Sequence, residues 1–152
     1  AMTGWRIGFM CAPKPVAAAA LKIHQYTIMC APTAGQEAAL AALKDGRDSE
    51  YEQVEYMRAE YDRRRGFTVG MLRDMGLDCY MPGGAFYVFP DVSRVAENGE
   101  TFAEELLKAQ KVAVVPGGAF GACGQKHVRC TYASSIKMLD KAFERMRAFL
   151  HK

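Results

Sequence analysis

The chain has 152 residues, half of them hydrophobic and 24% charged, with a formal net charge of +3. This describes a soluble globular chain large enough for a core, not a disordered one, and so mild a charge marks out no dedicated nucleic-acid surface. No apolar run approaches the ~18 residues of a membrane span; the stretch VAAAALKIHQYTIM is broken by Lys22, His24 and Gln25, and the start lacks the basic lead and apolar block of a secretory signal.

The segment WRIGFMCA (5–12) is short and apolar at most positions, which predicts a buried strand ended by Pro13 and Pro15. A helix follows from about Pro15 to Tyr26, and Pro32 opens a second, with Gly46 as its C-terminal cap. Both are rich in alanine, which lets a helix approach a neighbouring sheet closely. Residues 47–76 predict one long helix, capped by Asp48 or Ser49, with Val54, Met57, Tyr61, Thr68, Leu72 and Met75 at helical spacing and a kink near Gly66 and Gly70. About 28 residues would reach about 42 Å, against a radius of gyration of about 15 Å for a compact globule of this size. Such a helix reads as a spine between two lobes.

From about residue 78 the pattern changes. GAFYVFPDV (84–92) predicts a strand, TFAEELLKAQ (101–110) a short amphipathic helix, KVAVVPG (111–117) a buried strand and HVRCTYA (127–133) another. Residues 134–150 predict a helix with a serine cap and apolar Ile136, Leu139, Phe143, Met146 and Leu150. The fold class is α/β: a small mixed sheet backed by helices.

Cys11, Cys30, Cys79, Cys123 and Cys130 are odd in number and form no C-x-x-C pair, so they read as reduced thiols of a cytoplasmic protein. Cys123, His127 and Cys130 offer three irregularly spaced donors where a structural zinc site wants four. They read as two small buried thiols and a surface histidine, and no metal is expected. Arg63-Arg64-Arg65 follows Glu60 by three to five residues, so it reads as an ion-paired, solvated helix face and not as a nucleic-acid platform.

Each remaining motif is weak alone. PGGAFG (116–121) lacks the Gly-Lys-Ser/Thr ending of a phosphate loop, and its glycines can serve turns. Taken in order, AMTGWRIGF, PGGAFYVFPD, VAVVPGGAFG and HVRCTYASS with a final helix resemble the C-terminal part of a class I/II aminotransferase, a pyridoxal-phosphate enzyme of the aspartate-aminotransferase fold type. The resemblance runs from Ala1 to Lys152.

It implies that residues 1–45 are the tail of the large cofactor-binding domain and that 46–152 are the small domain with the long connecting helix. In this family a Ser-Lys, whose lysine forms the Schiff base with the cofactor, lies just before the position of Ala1. The resemblance therefore implies a fragment without the catalytic lysine, inactive alone, and none of Lys14, Lys22, Lys44 or Lys108 stands in that lysine's context. No catalytic residue is assigned within the chain. Arg6 matches the arginine that grips the cofactor phosphate, and Arg129 the arginine that binds the substrate α-carboxylate. A planar, permanently charged fork suits both anions. The implied parent is a homodimer using pyridoxal 5'-phosphate to move an amino group between an amino acid and a 2-keto acid. The alternative is a free-standing α/β ligand-binding or regulatory module.

Overall fold

A computed structural model describes residues 2–151; Ala1 and Lys152, the two ends of the resemblance, lie outside the described residues. The chain divides into two compact units, Ala1–Met57 and Arg58–Lys152.

The first unit begins with a 3-10 turn over Thr3–Trp5, followed by α1 (Lys14–Thr27) and α2 (Thr33–Asp48). Pro15 sits in the first turn of α1, where its missing N–H costs nothing. The predicted strand at 5–12 does not form. A strand exists through its ladder, and among the described residues no segment pairs with this one. Gly46 does not cap α2, which continues to Asp48. The left-handed residues of the turn that follows are instead Glu50 and Tyr51, with φ of 52° and 61°. Gly46 serves that turn differently: a Cβ there would lie 2.7 Å from the Tyr51 ring.

This unit has almost no interior. Gly35, beside the Trp5 carbonyl, is its one buried residue among those described. Phe9, Tyr26 and Met29 are 84%, 94% and 80% exposed. Apolar surface on that scale forgoes the main stabilising term of folding.

α3 (Glu52–Asp74) carries the chain across the division at Met57 and runs unbroken through Gly66 and Gly70. In the second unit it is followed by β1 (Tyr87–Val88), α4 (Gly99–Gln110), β2 (Val115–Pro116), β3 (Val128–Thr131) and α5 (Ile136–Leu150). The sheet order is β1-β3-β2. The class is α/β as expected, but both pairings are antiparallel where a mixed sheet was anticipated. The strand read as buried at 111–117 is reduced to β2 on the sheet edge, and its residues alternate between half-buried and exposed.

The core lies on one face of this sheet. Val69 and Leu72 of α3, Phe102 and Leu106 of α4, and Leu139, Phe143 and Met146 of α5 close on Val88, Val128, Cys130 and Tyr132. Asn98 caps α4 by accepting from the Thr101 N–H at 2.9 Å. Ser135 caps α5 by accepting from Met138 N–H, as its sequence predicts. Along β3, Val128 and Cys130 are buried while Arg129 is half-buried and Thr131 exposed. The two-residue period of a strand therefore turns Arg129 and Thr131 to the face away from the core.

Cys11, Cys30 and Cys123 are exposed, and Cys79 and Cys130 buried. Burial pushes the Cys79 thiol up and the Cys130 thiol to about 12. Only the thiolate is an effective nucleophile. At pH 8 a disulfide-exchange reagent should modify Cys11, Cys30 and Cys123 at once and the other two only after unfolding; fast labelling of Cys130 in the folded chain would contradict this core. The amides of α1 and α2 should exchange with deuterium at least about ten-fold faster than those of β3 and α5 in the monomeric chain, and equal protection would contradict the description of the first unit.

Candidate functional site

β3 is the middle strand, so its outward residues have neighbours on both sides. Tyr87 of β1 lies opposite Thr131, which places its ring diagonally from Arg129 on the same face. The diagonal is short enough for a long side chain: Arg129 Cζ stands 4.3 Å over the Tyr87 ring centroid. On the other side Val115 of β2 lies opposite Arg129. The chain leaves β2 in a 3-10 turn, Gly117–Phe120, that brings Phe120 back to Arg129, with Cζ 4.5 Å over its centroid. The guanidinium thus rests on the faces of two aromatic rings. Among the described residues no carboxylate is ion-paired with it.

The turn that delivers Phe120 is held backbone to backbone. Gly117 N–H donates to the His127 carbonyl at 2.8 Å. A Cβ on Gly117 would collide with the Gly124 and His127 carbonyl oxygens, and one on Gly124 with the Gly117 carbonyl. Gly121 between them has φ of 130°, a conformation that L side chains avoid. Phe89 fills the space beneath, edge-on to Phe120 at 6.1 Å and stacked on His127 at 5.0 Å between centroids. His127 is accordingly not a surface residue: it is half-buried, and its Nδ1 is buried without a hydrogen-bond partner among the described residues. Cys123, read as buried, is exposed. The described residues contain no group of three or more His, Cys, Asp or Glu placed to hold a metal.

Arg129 has ionisable neighbours in sequence that burial shifts. Cys130, its neighbour on the opposite face, stays protonated because burial pushes its thiol to about 12. Tyr132 is raised by burial too, and its hydroxyl donates to the Ala85 carbonyl at 2.9 Å. Asp91 is held below the usual carboxylate range, first by its hydrogen bonds with Ser93.

The arginine run lies elsewhere in this unit. Arg63 and Arg64 bind Glu60 at 3.0 and 3.4 Å, and Arg65 binds Asp62 and the Pro82 carbonyl. The Arg63 hydrogen bond holds Glu60 below its ordinary range. The ion pairs are those the spacing predicts, but the face is not fully solvated: Arg64 and Arg65 are half-buried, and the Nε of each is buried without a hydrogen-bond partner among the described residues. A cleft of about 480 Å³ opens beside Arg65, Tyr61, Asp62 and the Gly83-Gly84-Ala85 turn. A second, of about 300 Å³, lies between residues 111–114 and α5. Arg129 lines neither of these two clefts.

Arg6 belongs to the first unit. It follows the Thr3–Trp5 turn with φ of 52°, and its Nη1 donates to the Thr3 carbonyl at 3.2 Å. The side chain is exposed, and among the described residues no carboxylate neutralises it. One nitrogen of the guanidinium is tied to the backbone, and among the described residues its other donors have no hydrogen-bond partner, a donor set that fits a phosphate dianion. Arg6 and Arg129 lie in different units.

Tyr87 and Phe120 were not singled out by sequence reasoning. The available signal was an aromatic residue following a glycine turn in both GGAFY and PGGAFG, but a register is needed to bring the two onto one arginine.

Comparison with known proteins places the chain. The family model for aminotransferase class I and II matches residues 1–146. YugH of Bacillus subtilis, provisionally named an aminotransferase, is 53% identical over 152 residues, which are 100% of this chain and 38% of that protein. The aspartate aminotransferase of Pyrococcus abyssi is 43% identical over 152 residues, 100% of this chain and 39% of its own. The crystal structure of an aromatic aminotransferase from Pyrococcus horikoshii superposes with a TM-score of 0.89 at 44% identity, covering 99% of this chain and 40% of that one. The chain thus spans about two-fifths of the length of the relatives it matches. With a family model covering nearly its whole length and relatives well above 30% identity, the chain belongs to the class I and II aminotransferases.

Proposed function

We propose that this chain is the C-terminal part of a pyridoxal-phosphate-dependent aminotransferase, a cytoplasmic homodimer that moves an amino group between an amino acid and a 2-keto acid. Residues 1–45 would be the tail of its large domain and 46–152 its small domain. The observation that carries the reading is Arg129: in a chain of this family, a half-buried guanidinium is seated on two rings with no carboxylate partner among the described residues. Aromatic faces leave the in-plane N–H groups as the open edge of the cation, and that edge matches a carboxylate bidentately.

Each arginine then has one task. Arg6 would hold the cofactor phosphate, its fork already steadied on the Thr3 carbonyl. When bound, the cofactor supplies an electron sink for the charge that develops at the substrate Cα. Arg129 binds the substrate α-carboxylate. Two parallel hydrogen bonds fix the carboxylate in the guanidinium plane, so the amino group and Cα are presented in one orientation, and orientation of this kind is itself a large part of catalysis. No residue of this chain is assigned the proton transfer. We therefore propose that the isolated chain is inactive.

Two measurements test this reading. In the full-length protein, Arg129→Ala should lower kcat/KM for amino acids by about 3 kcal/mol, the scale of a broken charge pair. Arg129→Lys should fall between the two, since it keeps the charge and loses the fork. Cofactor content, read by absorbance on the same samples, should hardly change. Unchanged turnover, or loss of cofactor without a specific loss for substrate, would remove Arg129 from this role. For the isolated chain, borohydride reduction in the presence of pyridoxal phosphate should give no stoichiometric adduct on a single lysine by mass spectrometry. A single specific adduct would place the cofactor lysine within residues 1–152 and overturn the fragment reading.

A further inference from the structure

Tyr87 also packs on Phe86 at the margin of the core, at 4.6 Å between ring centroids, but the contact of Phe120 with Arg129 has no explanation in core packing. Phe120 is 51% exposed, yet its ring is committed to Arg129 on one side and Phe89 on another. Burial alone does not explain a large aromatic residue at such a position. Its placement demands a turn in which neither Gly117 nor Gly124 has room for a methyl group and Gly121 holds a φ of 130°. Tyr87 reaches the same cation from the opposite strand neighbour through the antiparallel register. Two separate elements, each needing its own backbone geometry, converge on one guanidinium.

We infer that Tyr87 and Phe120 are positioning residues: they clasp the Arg129 guanidinium so that its N–H edge is preset for a carboxylate, and the Gly117–Gly124 turn exists to seat Phe120. This rests on the reading of Arg129 given above. An unrestrained arginine has several rotatable bonds to freeze when it binds, and that lost freedom opposes binding. A guanidinium already resting on two rings has lost much of it beforehand, so less is lost on binding. The rings also shed water from the cation's faces, which strengthens each hydrogen bond made at its edge. Neither ring touches the carboxylate; both act through Arg129.

The test uses the full-length, cofactor-loaded protein and two amines that carry no hydrogen on the amine-bearing carbon. 2-Methylalanine has the α-carboxylate; tert-butylamine has a methyl group in its place. Binding is read from the visible spectrum of the cofactor, with no turnover needed. Phe120→Ala and Tyr87→Ala should each raise the Kd for 2-methylalanine about ten-fold, equivalent to about 1.4 kcal/mol. The Kd for tert-butylamine should stay within about two-fold. Phe120→Tyr and Tyr87→Phe keep a ring over the cation and should bind both amines like the parent. Arg129→Ala is measured in parallel. If it weakens 2-methylalanine while the two ring-to-alanine variants do not, the clasp is wrong and the role of Arg129 stands. If it leaves 2-methylalanine unaffected, the role of Arg129 fails and the clasp with it. Equal weakening of both amines by the ring variants, or failure of the Tyr and Phe variants to restore binding, would also overturn the inference.

Discussion

A guanidinium is costly to bury unless its donors find partners, and in the second unit Arg129 is kept out of the core while still being held by two rings. β3 achieves the first through the period of a strand. Val128 and Cys130 face the helices, and Arg129 between them cannot. The flanking strands achieve the second. β1 contributes Tyr87 along a diagonal of the ladder, and β2 leads into the turn that returns Phe120. A slip of one residue in β3 would exchange the two faces, burying the cation and exposing Val128 and Cys130. The fold of the sheet and the availability of the charge are thus one constraint.

The glycines of the 117–124 turn are part of the same constraint. Side chains at Gly117 and Gly124 would drive the two backbone segments apart, and Phe120 with them. Taken as a motif, PGGAFG suggests a phosphate cradle. In the structure Gly117 of that motif lets backbone approach backbone beneath the Phe89 ring. The first unit follows a different logic. Its alanine-rich helices and the segments flanking them expose Tyr26, Phe9 and Met29, and among the described residues they enclose almost nothing. The chain spans about two-fifths of the length of its relatives.

Features governed by local chemistry were readable in the sequence. The apolar positions of α5 recur at helical spacing and Ser135 announces its start, so that helix is placed nearly to the residue. The arginine run was readable for the same reason, since its carboxylate partners lie three and four residues away. Features that depend on a distant partner were not. Residues 5–12 carry a strand-like pattern, but a ladder needs a second strand that no local pattern supplies. Gly46 looked like a helix cap because glycine usually takes the left-handed conformation, which here falls to Glu50 and Tyr51. Arg129 was found through the order of motifs around it; Tyr87 and Phe120 escaped because only the register brings them to it. His127 was misplaced on the surface because its stacking on Phe89 joins residues 38 positions apart.

The proposed role of Arg129 as a carboxylate receptor is tested most directly by a crystal structure of the full-length protein with an amino acid or keto acid bound. The expected result is both carboxylate oxygens in the guanidinium plane, each about 2.7–2.9 Å from an Arg129 nitrogen, with the rings of Tyr87 and Phe120 still against the cation. A ligand whose carboxylate is bound by other residues, with Arg129 turned to solvent, would contradict it.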